Sequence, residues 1–224
     1  MFKSLDANEI VHTAAELARR IDERFPKRGI SRVAASLLRV AEDAAERTRL
    51  IKEAHIPIRI VMALTVILIL APLLGVLPML RISPNILGAT EFIQTFESLL
   101  GTVFFLGAII TFLVSLEIRF KRSRALEAIH EMRAMAHIID MHQLTKDPER
   151  VLVGENKLTA FELSRYFDYL TDMLALIAKI SALYVQEFHD PVALAAADQI
   201  EDLTTQLSQK VFQKTMVLER LTRA

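Results

Sequence analysis

The sequence predicts an all-α membrane protein: a two-span transmembrane helical hairpin whose N- and C-terminal regions form a cytosolic helical bundle and stalk. Two apolar runs, Ile60–Leu80 and Ser98–Leu116, contain no charged residue. At ~1.5 Å per residue, each would form a helix about 28–32 Å long, which matches the ~30 Å hydrocarbon core of a bilayer. Elsewhere the apolar residues recur at helical spacing. The alternative, a pair of buried core helices, is disfavoured because soluble helices of this length usually carry a polar stripe.

The composition excludes several classes of protein. The 224 residues include 27 basic and 27 acidic side chains, and this balance argues against a nucleic-acid-binding protein. A hydrophobic content of 52% argues against disorder. The absence of cysteine excludes a disulfide scaffold, a thiol nucleophile and a thiolate-ligated metal site. Neither a nucleophile elbow nor a glycine-rich phosphate loop occurs, so the sequence predicts a non-enzymatic protein with no cofactor.

The N-terminal region, 1–55, is predicted to form a cytosolic pair of amphipathic helices. Asp6 or Ser4 could cap the first helix, and the stretch Phe25–Gly29 breaks it. Ser31 could cap the second helix. The apolar face of the first helix comprises Ile10, Ala14, Leu17, Ile21 and Phe25. The face of the second helix comprises Val33, Leu37, Val40, Ala44 and Ile51.

The transmembrane hairpin is predicted over 56–118, with spans at about 58–80 and 96–118 and an outside loop at 81–95. Basic residues flank the hairpin on its two terminal sides: Arg47, Arg49, Lys52 and Arg59, then Arg119, Lys121, Arg122 and Arg124. The loop has Arg81 alone, so the positive-inside rule places both termini in the cytoplasm and the hairpin in the plasma (inner) membrane. The second basic group could also bind anionic lipid headgroups.

The remaining region, 119–224, is predicted to form a stalk and a bundle. Neither glycine nor proline occurs from Ala108 to Leu144, so one helix should continue from the second span. The residues Ile129, Met132, Ala136 and Ile139 have the spacing of a short coiled-coil seam. Two helices follow, at about 158–188 and up to 221, and His189-Asp190-Pro191 begins the last one.

Two apolar faces are predicted on these last helices. On the first, the inward residues are Leu163, Phe167, Leu170, Leu174, Ile177 and Tyr184. Its apolar run Met173–Ala178 is assigned to the core rather than to a third span, because Asp172 and Lys179 flank it. On the last helix, the inward residues are Ile200, Leu203, Leu207, Val211, Leu218 and Leu221. The four-residue step from Leu207 to Val211 predicts a stutter in that seam.

Small residues in the second span predict a helix-packing face, because spanning helices associate where their backbones can approach closely. The face comprises Gly101, Gly107, Ala108, Thr111 and Ser115. Self-association and packing against the first span explain it equally well. The leading hypothesis is therefore a membrane-anchored helical module for self-association and protein interaction. Its partners would be the lipid bilayer, further copies of the chain and a second, unidentified protein.

Two further functions are carried as alternatives. In an oligomeric channel or transporter subunit, Thr102 could line a pore and rings of Glu97 and Glu117 could flank its mouths, although interfacial carboxylates at helix ends explain both glutamates. A divalent metal could bind in the bundle around Glu127 and His130, an E-x-x-H step on one helix. The neighbouring donors for that metal site are His137 and Asp140. Solvated side chains on a helix surface explain the same residues.

Overall fold

The protein is described by a computed structural model, which describes residues 4–52, 60–61, 63–68, 71, 89–149, 158–186 and 188–223. All regular secondary structure in these ranges is helical. Five helices have defined bounds: α1 (Ala7–Arg24), α2 (Gly29–Lys52), α3 (Ala89–Leu144), α4 (Ala160–Val185) and α5 (Pro191–Arg223). The chain divides into two compact units. The first comprises Met1–Glu53 and Arg122–Ala224, and the second comprises Ala54–Lys121.

The first unit is a helical bundle, as predicted, and α1 begins it. Asp6 is the N-cap, and its carboxylate accepts a hydrogen bond from the Asn8 amide at 2.8 Å. This bond satisfies one of the free amides of the first turn. The predicted inward residues of α1, from Ile10 to Phe25, are all at most 5% exposed. The sequence therefore predicted both the start of α1 and its buried face.

The start of α2 differs from the prediction. The helix begins at Gly29, so Ser31 lies inside its first turn and is not the cap. The buried Ser31 hydroxyl instead donates a hydrogen bond to the carbonyl of Phe25, across the turn between α1 and α2. A serine hydroxyl can either cap a helix or donate to a nearby backbone carbonyl, and the sequence alone does not distinguish these two roles.

Gly29, the first residue of α2, also allows a close contact with α3. A Cβ atom on Gly29 would lie 2.5 Å from Cε1 of His142. The His142 ring is held in place because its Nδ1 lies 3.3 Å from the Tyr166 hydroxyl of α4. Burial, followed by the charges of Lys146 and Arg32, lowers the pKa of His142. Gly29 is thus required for space against a fixed ring.

Replacing Gly29 with alanine is expected to destabilise the bundle by roughly 1–2 kcal/mol, the usual cost of overpacking. This sign is opposite to that of helix propensity, which favours alanine. The measurement is urea unfolding of the full chain in mild detergent. In a His142→Ala background, the same Gly29→Ala change should be neutral or stabilising, because the clashing ring is gone. Equal costs in both backgrounds would show that the contact is irrelevant.

Helix α3 is continuous to Leu144, as predicted, but it begins at Ala89, within the segment predicted as a loop. Its predicted seam is buried: Ile129, Met132, Ala136 and Ile139 are at most 2% exposed and belong to the main core. The seam predicted from the spacing is therefore part of the bundle core. The seam closes within the chain, because its four residues belong to the same buried core as residues of the other helices.

Polar contacts hold α3 against the other helices of the bundle. Arg47 of α2 pairs with Glu131 of α3 at 3.0 Å. Arg133 of α3 donates to the Gln199 side chain of α5 at 2.8 Å. The Lys214 ammonium of α5 donates to the Gln143 carbonyl of α3 at 2.7 Å. Two of these three contacts are exposed and the third is partly buried, so we expect them to set the helix register more than the stability.

Helix α4 lies at the centre of the bundle. Its N-terminus carries a capping box: the Glu162 amide donates to the Thr159 hydroxyl, and the Glu162 carboxylate accepts from the Thr159 amide. The six inward residues predicted for this helix are all at most 2% exposed. The apolar run Met173–Ala178 lies within this core helix, as predicted, and its residues Met173, Leu174, Leu176 and Ile177 are at most 5% exposed. The helix as a whole contacts α1, α2 and α5. The segment is therefore not a third span.

The buried seam of α5 differs from the prediction in its register. It comprises Ala193, Ala197, Ile200, Thr204, Leu207, Val211 and Leu218. The steps between these positions alternate between four and three residues, and Lys214 occupies the position between Val211 and Leu218 that completes the pattern. The seam is therefore a regular heptad repeat without a stutter. Thr204 is buried in this seam, the predicted Leu203 is partly buried and packs against the core, and the predicted Leu221 is 42% exposed. Thr204 tolerates burial because its hydroxyl donates to the Glu201 carbonyl at 3.0 Å.

The second unit contains the apolar part of α3. Among the described residues, Phe96–Leu144 is one helical stretch that is long and apolar enough to cross a membrane. Its large apolar side chains point outward; Phe104 is 72% exposed and Phe105 is 68% exposed. The apolar part of this helix, up to residue 121, contains no buried residue among those described. Of the first predicted span, residues 60–61, 63–68 and 71 are helical, and the rest lies outside the described residues.

Candidate interaction surfaces

The predicted small-residue face of α3 lines an open groove in the second unit. The groove has a volume of about 450 Å³, and three of the five predicted residues, Ala108, Thr111 and Ser115, line it. A Cβ atom added to Gly101 or Gly107 would meet no described atom within 4 Å. Among the described residues, no side chain packs closely against these two glycines.

The hydroxyl groups on the same helix are bonded to its own backbone. Thr102 donates to the Ser98 carbonyl at 2.9 Å, and Ser115 donates to the Thr111 carbonyl at 2.7 Å. Such bonds are the usual way for a helix to carry hydroxyls among apolar surroundings. These two hydroxyl protons are therefore already engaged without a water-filled pore.

The two glutamates assigned to pore mouths have different surroundings. Glu117 forms an ion pair with Lys121, one turn later, at 3.1 Å, and both side chains are less than 20% exposed. Glu97 is exposed on α3. The structure gives Glu117 a counter-ion from its own helix, so a ring of Glu117 side chains would carry little net charge.

The four basic residues after the second span also have different surroundings. Arg119 lines the small-residue groove, and Arg124 is exposed on the bundle segment of α3. Lys121 is paired with Glu117. Arg122 forms an ion pair within the bundle. Arg119 and Arg124 therefore remain the two candidates for headgroup contact.

The partner of Arg122 is Asp190, which also caps α5. Two guanidinium nitrogens of Arg122 donate to Oδ2 of Asp190, at 2.9 and 2.6 Å. The other oxygen, Oδ1, accepts from the amides of Val192 and Ala193 at 3.1 and 3.0 Å. Burial alone would raise the pKa of Asp190, but the bonds from Arg122 and the two amides outweigh it and lower that pKa. One carboxylate thus joins α3 to the start of α5.

The histidine cluster stays dispersed. Glu127, His130 and His137 are exposed on α3, and Asp140 is partly buried. In the ranges that the structure describes, no three His, Asp or Glu side chains come together in a way that could hold a metal ion. The E-x-x-H step therefore has no described third ligand, and the divalent-metal hypothesis gains no support from the geometry.

A larger groove, of about 830 Å³, lies between α1 and α4 in the bundle. Its apolar lining includes Ile10, Leu17 and Leu176. Charged side chains also line it, and four of them are acidic: Asp6, Glu9, Glu16 and Asp172. Leu5 closes one end, because its amide and carbonyl pair with the Gln186 side chain at 2.9 and 3.1 Å. A partner that presents a cluster of apolar side chains flanked by basic residues would match the size, the apolar lining and the acidic residues of this groove.

Comparison with known proteins identifies no relative. The chain matches no protein-family model, no curated protein and no solved structure.

Sequence reasoning missed two features that organise these surfaces. The capping box at Thr159 and Glu162 has a recognisable T-x-x-E pattern, so it could have been found. The pair of Arg122 and Asp190 could not, because the residues are 68 positions apart and nothing local links them. Long-range pairs of this kind depend on how the helices pack.

Proposed function

We propose that the protein is a non-enzymatic, membrane-anchored helical module that associates with itself and with a second protein. The observation that carries the proposal is the open groove beside Ala108, Thr111 and Ser115 on an exposed apolar helix. A second copy of this helix is the natural occupant of a small-residue face in lipid. The apolar groove between α1 and α4 supports the interaction with a second protein.

The membrane topology is part of the same proposal. The first apolar run, Ile60–Leu80, and the segment of α3 around 96–118 would form two spans joined by an outside loop. The basic residues on both sides of the hairpin support placing both termini in the cytoplasm. This arrangement leaves the bundle on the cytoplasmic side of the plasma (inner) membrane, where it can meet a soluble or membrane-bound partner.

The proposal is tested by the mass of the purified complex in detergent, corrected for bound detergent. The chain has a mass of 25.3 kDa, and we expect the complex to be a dimer or larger. The double variant Ala108→Leu and Ser115→Leu should fall to the monomer mass, because the added side chains fill the groove. A matched control, Val103→Leu with Val114→Leu, adds leucine at exposed positions and should keep the wild-type mass.

Two results would contradict self-association: a monomeric wild-type chain in several mild detergents, or a groove variant with an unchanged mass. The alternative function as a channel or transporter subunit needs a closed ring of at least four copies. That alternative predicts conductance in reconstituted bilayers that changes in Glu97→Gln, and it fails if wild-type bilayers are silent across ion conditions. The metal alternative predicts stoichiometric metal in the purified protein, which Glu127→Gln with His130→Gln should remove.

A further inference from the structure

A second cleft between α1 and α4 differs from the apolar groove in its chemistry. It has a volume of about 510 Å³ and is lined by three arginines, one glutamate and two aromatic residues: Arg20, Glu23, Arg24, Phe161, Arg165 and Tyr169. These residues come from the end of α1 and the start of α4. Three guanidinium groups thus converge on one concave surface.

The guanidinium groups are positioned by aromatic rings. Arg24 and Arg165 lie 4.8 and 5.7 Å from the ring centre of Phe161, which is 60% exposed. Arg20 lies 5.6 Å from the ring centre of Tyr169. A guanidinium held over a ring keeps its N–H groups free at its edge, where they can donate to an anion. The rings therefore orient the arginines without using their hydrogen bonds.

The carboxylates near the cleft leave much of this donor capacity unused. Arg20 and Arg165 each have one long contact, to Asp172 at 3.6 Å and to Asp168 at 3.5 Å, and all four groups are about half exposed. Glu23 is bonded to Arg19, outside the cleft, at 2.5 Å. Within the described residues, Arg24 has no carboxylate within 4.0 Å.

Two further basic side chains, Arg28 and Lys146, lie over aromatic rings of the bundle. Arg28 lies in the turn after α1, 5.7 Å from the ring centre of Phe25, and it has no carboxylate within 4.0 Å in the described ranges. Lys146 lies 5.8 Å from the ring centre of Tyr166. Burial, followed by the charge of Arg28, lowers the pKa of Lys146. Positive charge thus accumulates at this end of the bundle, with Glu162 occupied by its capping box.

We propose that the cleft formed by Arg20, Arg24 and Arg165 over Phe161 and Tyr169 binds a phosphate group. A phosphate monoester carries about 1.5 to 2 negative charges and three acceptor oxygens, so it can accept from several guanidinium forks at once. A carboxylate has two oxygens and one charge and would satisfy fewer of these donors. The phosphate can belong to a soluble phosphate compound or to the headgroup of an anionic lipid.

The test is calorimetric titration of the full-length chain in nanodiscs of neutral phosphatidylcholine. One arm uses inorganic pyrophosphate, and the other uses dihexanoyl phosphatidic acid below its micelle concentration. We expect saturable binding in at least one arm. Arg24→Gln with Arg165→Gln should weaken that binding at least tenfold. The matched control Arg39→Gln removes an exposed arginine of α2 that lies outside the cleft and should change the affinity less than twofold.

Each outcome has a definite meaning. Binding of pyrophosphate alone assigns the site to soluble phosphates, and binding of the lipid alone assigns it to headgroups. No saturable binding in either arm overturns the proposal, as does equal binding by wild type and the Arg24/Arg165 variant. Phe161→Leu keeps every charge but removes the supporting ring. It should weaken binding severalfold, and unchanged binding would overturn the role of the ring as support.

Discussion

Replacing Asp190 with alanine is expected to cost the bundle about 2–4 kcal/mol of unfolding free energy. The change removes the cap of α5, worth ~1 kcal/mol, and leaves Arg122 without its buried partner. Asp190 is 3% exposed, whereas Arg122 is 37% exposed, so water can replace some of the lost bonds to Arg122. The expected loss of unfolding free energy is therefore smaller than the loss from breaking a fully buried ion pair.

The chain offers a selective probe for this measurement. It has no tryptophan, and its three tyrosines, Tyr166, Tyr169 and Tyr184, all lie in α4. Tyrosine fluorescence during urea unfolding in detergent therefore reports the bundle alone. Asp190→Ser keeps a capping oxygen and isolates the ion pair, and Arg124→Gln serves as the control for losing an arginine from α3. A loss below ~1 kcal/mol in Asp190→Ala would contradict the assignment.

The contribution of Asp190 should also depend on pH. Its pKa is lower in the folded chain than in the unfolded chain, where it is about 3.9. A group with a lowered folded pKa stabilises above its unfolded pKa, and this stabilisation is lost as the pH falls towards the folded value. The stability difference between wild type and Asp190→Ser should therefore be full at pH 6 and shrink below about pH 4. A difference that is constant down to pH 3 would contradict this origin.

Replacing Phe167 with alanine is expected to cost about 3–5 kcal/mol, the usual range for a buried phenylalanine. Phe167 is fully buried in the middle of the bundle core. The matched control is Phe161→Ala on the same helix, where the ring is 60% exposed. That change removes cation–π contacts worth about 0.5–1 kcal/mol each at exposed sites and should cost less than the core variant.

The same urea experiment, read by tyrosine fluorescence, measures both phenylalanine variants. If Phe167→Ala does not fold, Phe167→Leu keeps most of the volume and should cost roughly 1 kcal/mol. Equal losses at positions 161 and 167 would show that α4 is not buried as the structure describes.

Local patterns predicted the individual helices well. Asp6 was one of two candidate caps of α1, His189-Asp190-Pro191 predicted the start of α5, and the inward faces of α1 and α4 were assigned correctly, because capping and helical periodicity depend on neighbouring residues. The cap assigned to Ser31 and the inward position assigned to Leu221 were wrong, and the buried Thr204 was not predicted. Only the packing of the bundle selected Gly29 as the helix start and Thr204 as the core residue.

One of the candidate surfaces could be predicted from local sequence patterns, and another could not. The small-residue face of α3 could be read from spacing, and the structure adds the open groove at Ala108, Thr111 and Ser115. The arginine cleft could not be predicted, because it combines α1 with a helix more than a hundred residues later in the chain. Similarly, the sequence alone does not distinguish Arg122 from the basic residues beside it, because its partner Asp190 is distant in the chain.

The sequence by itself determined that the described residues are helical, that the first helix begins after Asp6, that α3 runs to Leu144, and that this helix is long and apolar enough to cross a membrane. These properties follow from periodicity, caps and hydrophobic length, which act locally. Only the tertiary structure decided that the seam from Ile129 to Ile139 closes inside the chain. An apolar seam on one helix is equally satisfied by any apolar partner, so its spacing cannot tell a neighbouring helix of the same chain from another copy.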